Sequence, residues 1–258
     1  MKKLSVIFMA LALAAPVLCR AGAEDTALTR DESAAFKKAL VAVLGAMGLP
    51  PQGFVKEKDD FNLPTDFYTE GGKLRAVTAS VHRRLAIKGV KDAEAGNKKH
   101  GADYKKKILE AQSKGDYQEV MRLSQEMQKD VSSTALSGAK AEEEKKLPIR
   151  VSVEINDSQY QAIDPDLVVF EKPGVLALKM PQDEEGDPKG SVAVYFQPSA
   201  LKDTKKLSKV QIDVKTVPVK TSIVAIAIKL EGPVEEVETW AKRIDTKTVL
   251  AQINAALK

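Results

Sequence analysis

The chain has 258 residues, with 40 Lys and Arg residues against 36 Asp and Glu residues and a formal net charge of +4. Lys2, Lys3 and Arg20 lie in a predicted leader, and the remaining balance of 37 to 36 gives no electrostatic basis for nucleic-acid binding or for strong attraction to anionic lipid. The single cysteine, Cys19, belongs to the same leader. The rest of the chain therefore has no disulfide, cysteine nucleophile or thiolate metal site, and we expect no cofactor.

The first residues of the chain have the pattern of a cleavable secretory signal peptide, residues 1–23. Lys2 and Lys3 precede an apolar stretch that is shorter than the roughly 20 residues of a membrane-spanning helix. The small residues of Ala21-Gly22-Ala23 then form a cleavage site. We expect the mature chain to begin at Glu24 and to be periplasmic or secreted.

Cys19 raises the alternative of a lipoprotein, in which the cysteine is acylated after cleavage. We disfavour this alternative because Leu18 occupies the place where a lipoprotein site has a small residue. No later stretch has transmembrane length, so the sequence predicts that the protein is not an integral membrane protein.

The mature chain is predicted to divide at Pro148 into a mostly helical region, residues 24–147, and an α+β domain, residues 148–258. Thr29 and Glu32 form a capping-box pattern at the start of the first helix. Gly48 and the prolines after it predict the end of that helix. The apolar residues between these signals recur at helical spacing: Phe36, Leu40, Val43, Leu44 and Met47.

Residues 50–72 have the pattern of a loop that contains several aromatic residues. Phe54, Phe61, Phe67 and Tyr68 are the candidate ligand-binding residues, because aromatic side chains on a loop can line a groove. The alternative, which we favour, is that they anchor the loop to the body, since aromatic burial removes a large area from water.

A helical hairpin is predicted over about residues 90–135. Residues 73–88 before it fit either a strand or a helix face, and their β-branched content favours the strand. Gly115-Asp116 separates two strongly polar arms, and each arm has one narrow apolar stripe. A seam this thin suits packing on another element or a projecting arm that contacts a partner. Residues 136–147 are predicted to be a linker or a frayed helix end. The stripe residues are Tyr104, Ile108 and Ala111 in the first arm, and Val120, Leu123, Met127 and Val131 in the second.

The remainder of the chain is rich in predicted strands. Apolar residues alternate from Ile149 to Ile155, and Lys172-Pro173-Gly174 is a turn between two further strands. The apolar run over residues 223–230 is typical of a central strand that is buried on both faces. Two helices follow. Strands followed by helices predict an α+β fold with an antiparallel sheet packed against two C-terminal helices.

Few residues suggest catalysis. His82 and His100 are the only histidines, and neither lies in a zinc-binding or nucleophile motif. The acidic segment 182–188 lacks the ligand spacing of a calcium loop, and a solvated turn between strands explains it. We therefore predict no metal site and assign no catalytic residue.

Three functions are compatible with these features, in order of preference. The first is a non-catalytic periplasmic binding protein that contacts another envelope protein through the hairpin. The second is a carrier of a small apolar ligand, held between the sheet and its helices or under the aromatic loop. The third is a hydrolase that acts on envelope polymer with carboxylates alone. No motif is specific enough to name a family.

Overall fold

The computed structural model describes residues 26–143, 147–180 and 189–253. The predicted signal peptide, Cys19 and the acidic segment 182–188 lie outside these residues. The elements are, in chain order, α1 (Arg30–Ala46), β1 (Phe54–Asn62), β2 (Thr69–Glu70), β3 (Lys73–Leu74), β4 (Ala79–Ile87), α2 (Lys88–Ser113), α3 (Tyr117–Glu143), β5 (Ile149–Ile155), β6 (Gln159–Ala162), β7 (Val168–Lys172), β8 (Val175–Lys179), β9 (Lys189–Phe196), β10 (Lys209–Ile212), β11 (Ile226–Pro233), α4 (Val234–Lys242) and α5 (Thr246–Leu250).

Seven strands form one antiparallel sheet in the order β1-β4-β5-β11-β9-β8-β7. The predicted central strand is β11, which pairs with β5 on one side and β9 on the other. Two small sheets, β6 with β10 and β2 with β3, pair separately. The α+β fold, with an antiparallel sheet and two C-terminal helices, is confirmed. Strands β1 and β4 precede residue 148 and β5 follows it, so the sheet has strands from both predicted regions.

The two faces of the sheet differ in what covers them. Strand β5 shows the alternation: its odd-numbered residues from Ile149 to Ile155 are buried in the principal core, whereas its even-numbered residues face the other way. The principal core also contains the apolar faces of α1, α4 and α5. On the opposite face, a second core forms where β6 and β10 lie over β8 and β9. The second core includes Leu176, Leu178, Ala193, Tyr195, Val210 and Ile212.

Helices α1 and α4 meet in the principal core. The predicted capping box is present, with the Thr29 hydroxyl accepting from the Glu32 amide and the Glu32 carboxylate accepting from the Thr29 amide. At the other end of α1, the indole of Trp240 donates a 2.8 Å hydrogen bond to the carbonyl of Met47. Gly48 has a φ of 71°, a conformation that glycine adopts without strain and that ends the helix.

The hairpin of α2 and α3 is an insertion between neighbouring strands. Strands β4 and β5 are adjacent and antiparallel, with Leu85 opposite Ile149, so a short turn would suffice to join them. The predicted hairpin is confirmed and is longer than 90–135. Residues 136–143, predicted to be a linker or a frayed end, continue α3, because alanine, lysine and glutamate favour helix. None of the described helices is long and apolar enough to cross a membrane.

The prediction of a continuous loop over residues 50–72 is wrong for residues 54–62, which form β1. Strand β1 lies at the edge of the sheet, and its central residues 56–60 are all charged. An edge strand of this kind lacks strong apolar alternation, and its charges discourage pairing with another chain. A register shift between Lys56 and Lys58 further interrupts the pattern.

Candidate functional site

The four aromatic residues predicted to bind a ligand do not share one pocket. Phe54 is buried in the principal core, and Phe61 lies at the other end of β1, half-buried against the same core. Phe67 is also packed against that core, with the ammonium of Lys220 3.9 Å from its ring centroid. Only Tyr68 is largely exposed, at 67%. Burial of the three phenylalanines agrees with an anchoring role, and ligand binding by these residues stays a prediction.

The hairpin has one narrow internal seam. Among its described side chains, only Ala111 and Leu123 are fully buried, and both belong to the predicted stripes. The hydroxyl of Tyr104 donates a 2.8 Å hydrogen bond to Asp130 across the seam, and this bond is the main reason that the pKa of Tyr104 is raised. Val131, predicted in the stripe, is 42% exposed. Helix α2 alone has 26 residues, which corresponds to a length of about 39 Å.

One side of the hairpin is charged. The guanidinium of Arg122 hydrogen-bonds to Glu119 and to Glu126, one turn away on either side along α3. The bond from Arg122 holds the pKa of Glu119 below its usual value, and the charge of Lys107 on α2 lowers it further.

The opposite side of the hairpin, near its turn, exposes apolar side chains. Tyr117 and Met121 are 78% and 63% exposed, and their spacing of four places them on one flank of α3, away from Glu119 and Arg122. Leu109, near the same end of α2, is 66% exposed and lies one turn from Lys105 and Lys106. We call Leu109, Tyr117 and Met121 the tip patch. The same flank of α3 continues with Gln125 and Gln128, which are uncharged.

A second candidate surface is the uncovered part of the sheet face on which β6 and β10 lie. Strands β1, β4, β5 and β11 point polar side chains into an open groove of about 510 Å³. Cross-strand partners line it in rows. One row runs from Lys58 through Arg84 and Arg150 to Glu231, and the next from Asp60 through His82 and Ser152 to Lys229. We call this surface the sheet-face groove.

Ion pairs join the strands around the sheet-face groove. The first lies on the opposite face of the sheet, since Arg83 is directly opposite Val151 of the principal core. Arg83 donates to both carboxylate oxygens of Asp59 at 2.8 and 3.1 Å, and this bond is the main cause of the lowered pKa of Asp59. Lys229 pairs with Glu154 at 2.9 Å. Glu57 accepts from Lys91 at 2.7 Å and pairs with Arg84 at 3.1 Å, which joins the root of the hairpin to the sheet.

The two histidines lie on different surfaces. His82 lines the sheet-face groove, and His100 lies on α2 with its Nδ1 3.7 Å from Asp130. Within the described ranges, no group of three or more His, Asp or Glu side chains is arranged to hold a metal ion. The structure therefore does not bring the two histidines together.

Sequence reasoning predicted the hairpin as a contact surface but did not single out the tip patch, and it missed the sheet-face groove. The tip patch could have been found as apolar residues that fall off the helical stripe. The polar residues that alternate with the apolar ones in β5, Arg150, Ser152 and Glu154, indicate a solvated sheet face. Their neighbours on β4 and β11 depend on strand pairing, which the sequence alone did not give. Comparison of the chain with protein-family models, curated proteins and solved structures finds no match.

Proposed function

We propose that this chain is an exported, non-catalytic binding protein that contacts another protein of the cell envelope through the tip patch of its hairpin. The observation that carries the proposal is that Tyr117 and Met121, one turn apart on α3, and Leu109, near the same end of the hairpin, are all largely exposed. Scattered exposed apolar residues are ordinary, but a contiguous group marks an interaction surface. Aromatic and methionine side chains are also enriched in protein interfaces.

The position of the hairpin supports the same function. Because it is inserted between adjacent strands, it adds no strand to the sheet, and most of its described side chains are not buried. The two sides of α3 differ in charge, since Arg122, Glu119 and Glu126 occupy one side and Tyr117 and Met121 the other. This asymmetry offers a partner an uncharged flank on α3, whereas Leu109 on α2 lies one turn from Lys105 and Lys106.

Site-specific cross-linking in the native host tests the proposal. The double variant Tyr117→Ser/Met121→Ser is expected to lose a cross-linked species that the unaltered chain forms. The matched control is Tyr160→Ser/Val219→Ser, because these residues are 72% and 55% exposed on the body. The control should retain the species. A species that persists in the tip variant, or no species with the unaltered chain, would contradict the proposal.

Export is tested separately by sequencing the N-terminus of the protein from its envelope fraction. We expect a chain that begins at Glu24, because the small residues before it fit signal peptidase. A chain that retains Met1 and fractionates with the cytosol would contradict export.

A further inference from the structure

The sheet-face groove contains three cations on three adjacent strands. Lys58 is directly opposite Arg84, and Arg84 is directly opposite Arg150. All three side chains line the same groove. Neighbouring strands are about 4.8 Å apart, so the row spans about 10 Å. Like charges that face each other across a strand pair destabilise the sheet.

The carboxylates near this row neutralise its positive charge only in part. Lys58 pairs with Asp60 at 2.6 Å. Arg84 shares Glu57 with Lys91, and the hydrogen bond from Lys91 is the main cause of the lowered pKa of Glu57. Arg84 and Lys91 thus share a single carboxylate.

The positive charge of Arg150 is neutralised even less. It forms no ion pair within residues 26–143, 147–180 and 189–253, although Glu231 lies opposite it on β11. Of the other carboxylates of the groove, Asp60 is engaged by Lys58, and Glu154 is engaged by Lys229 and accepts a 3.2 Å hydrogen bond from Gln159. The pair of Arg84 and Arg150 is therefore the part of the groove that an added anion would stabilise most.

The groups beside this pair are hydrogen-bonding side chains. Ser152 and His82 occupy the next row of the groove, directly opposite each other. The Ser152 hydroxyl donates a long hydrogen bond of 3.4 Å to Glu154, which it would exchange for one to a bound oxyanion. A hydroxyl and an imidazole can both bind oxygen atoms, and guanidinium groups bind phosphate oxygens with paired, charge-assisted hydrogen bonds. A tetrahedral oxyanion with several acceptor oxygens can use both rows, whereas a planar carboxylate presents two oxygens.

We propose that the sheet-face groove binds a phosphate group between Arg84 and Arg150, with Ser152 and His82 as further hydrogen-bonding groups. The phosphate belongs either to a soluble phosphomonoester or to a lipid headgroup. This site is distinct from the tip patch, and it does not depend on the hairpin having a protein partner. The volume of about 510 Å³ lies within the range of small-molecule sites.

Titration with inorganic phosphate, followed by calorimetry at constant ionic strength, tests the site on the full mature chain. We expect saturable binding at one site. Arg150→Gln should weaken it at least tenfold, whereas the control Arg243→Gln, an exposed arginine outside the groove, should leave it unchanged. Arg150→Lys should restore part of the affinity, because it keeps the charge but not the paired donors. Thermal melts establish that each variant is folded.

Two results would overturn the proposal: heat that does not saturate, and equal binding by Arg150→Gln and Arg243→Gln. A second arm uses vesicles that contain phosphatidic acid. Co-sedimentation that requires Arg150 assigns the phosphate to a lipid headgroup. Phosphate binding without co-sedimentation assigns it to a soluble phosphomonoester. Both results support the phosphate site. Failure of phosphate binding or of co-sedimentation has no bearing on the cross-linking of the tip patch, so the two proposals can fail separately.

Discussion

The body of the molecule and its hairpin are held together in different ways. In the body, side chains far apart in sequence meet, as Trp240 does with Met47 across 193 positions. In the hairpin, the seam buries only Ala111 and Leu123 among the described side chains. The comparison shows that the body contains most of the buried contacts, whereas most described side chains of the hairpin are at least partly exposed.

The largest expected effect comes from truncating the largest buried side chain of the body. Trp240→Ala removes the indole from the principal core and leaves the Met47 carbonyl without its donor. We expect the free energy of unfolding to fall by about 4 kcal/mol, as for other large-to-small aromatic changes in a core. Chemical denaturation measures the loss, with unfolding monitored by the backbone circular dichroism signal because the variant lacks the tryptophan. The control Tyr160→Ala, an exposed aromatic, should change stability by less than about 0.5 kcal/mol.

A smaller loss is expected at Asn156, which ties three segments of the body together. Its amide donates to the carbonyls of Val77 and Ser222 at 3.0 and 2.8 Å, and its oxygen accepts from the Val224 amide at 2.8 Å. The residue is buried and has a φ of 58°. Asn156→Ala should lower the free energy of unfolding by about 3 kcal/mol, because it leaves buried polar groups unpaired.

Asn156→Gly separates the loss of the hydrogen bonds from the backbone strain that alanine would have at this positive φ. Glycine tolerates the positive φ but makes none of the side-chain hydrogen bonds. We expect the glycine variant to be nearly as unstable as the alanine variant in the same denaturation experiment. Stability equal to that of the unaltered chain would show that the three hydrogen bonds contribute little.

Local signals in the sequence predicted much of the fold. The capping box at Thr29, the alternation in β5 and the turn at Lys172-Pro173-Gly174 all depend on neighbouring residues, and the structure contains each of them. Strand β1 was missed because its charged edge position removes the apolar pattern. Strand β6 was missed for a similar reason, since its sequence Gln159–Ala162 is polar and its pairing with β10 is long-range.

The candidate surfaces were harder to predict than the fold. The row of Lys58, Arg84 and Arg150 exists only because β1, β4 and β5 are neighbours, although the hairpin separates β4 from β5 in sequence. Four aromatic residues were singled out because of their residue type. Three of them pack against the core, so residue type alone did not distinguish an anchor from an exposed contact.

The smallest expected effect on global stability comes from the hairpin. Leu123→Ala removes the largest fully buried apolar side chain of the described seam. Because that seam is thin and local, we expect a loss of about 1 to 2 kcal/mol in the local opening of α2 and α3, with the unfolding midpoint of the body unchanged. Native-state hydrogen exchange measures both, since amides of the hairpin and of the sheet report separate opening reactions.

The exposed Leu109 is the matched control for Leu123, because it is the same residue type on the same hairpin. Leu109→Ala should leave exchange in α2 and α3 unchanged, since its side chain is 66% exposed and little of it packs in the seam. If Leu123→Ala accelerated exchange in β4 and β5 as much as in the hairpin, the hairpin and body would unfold as one unit. The hypothesis that the body stabilises the fold while the hairpin contacts a partner would then be wrong. If only the hairpin amides respond, the arm can open without the sheet, and substitutions of the tip patch can be interpreted as effects on binding.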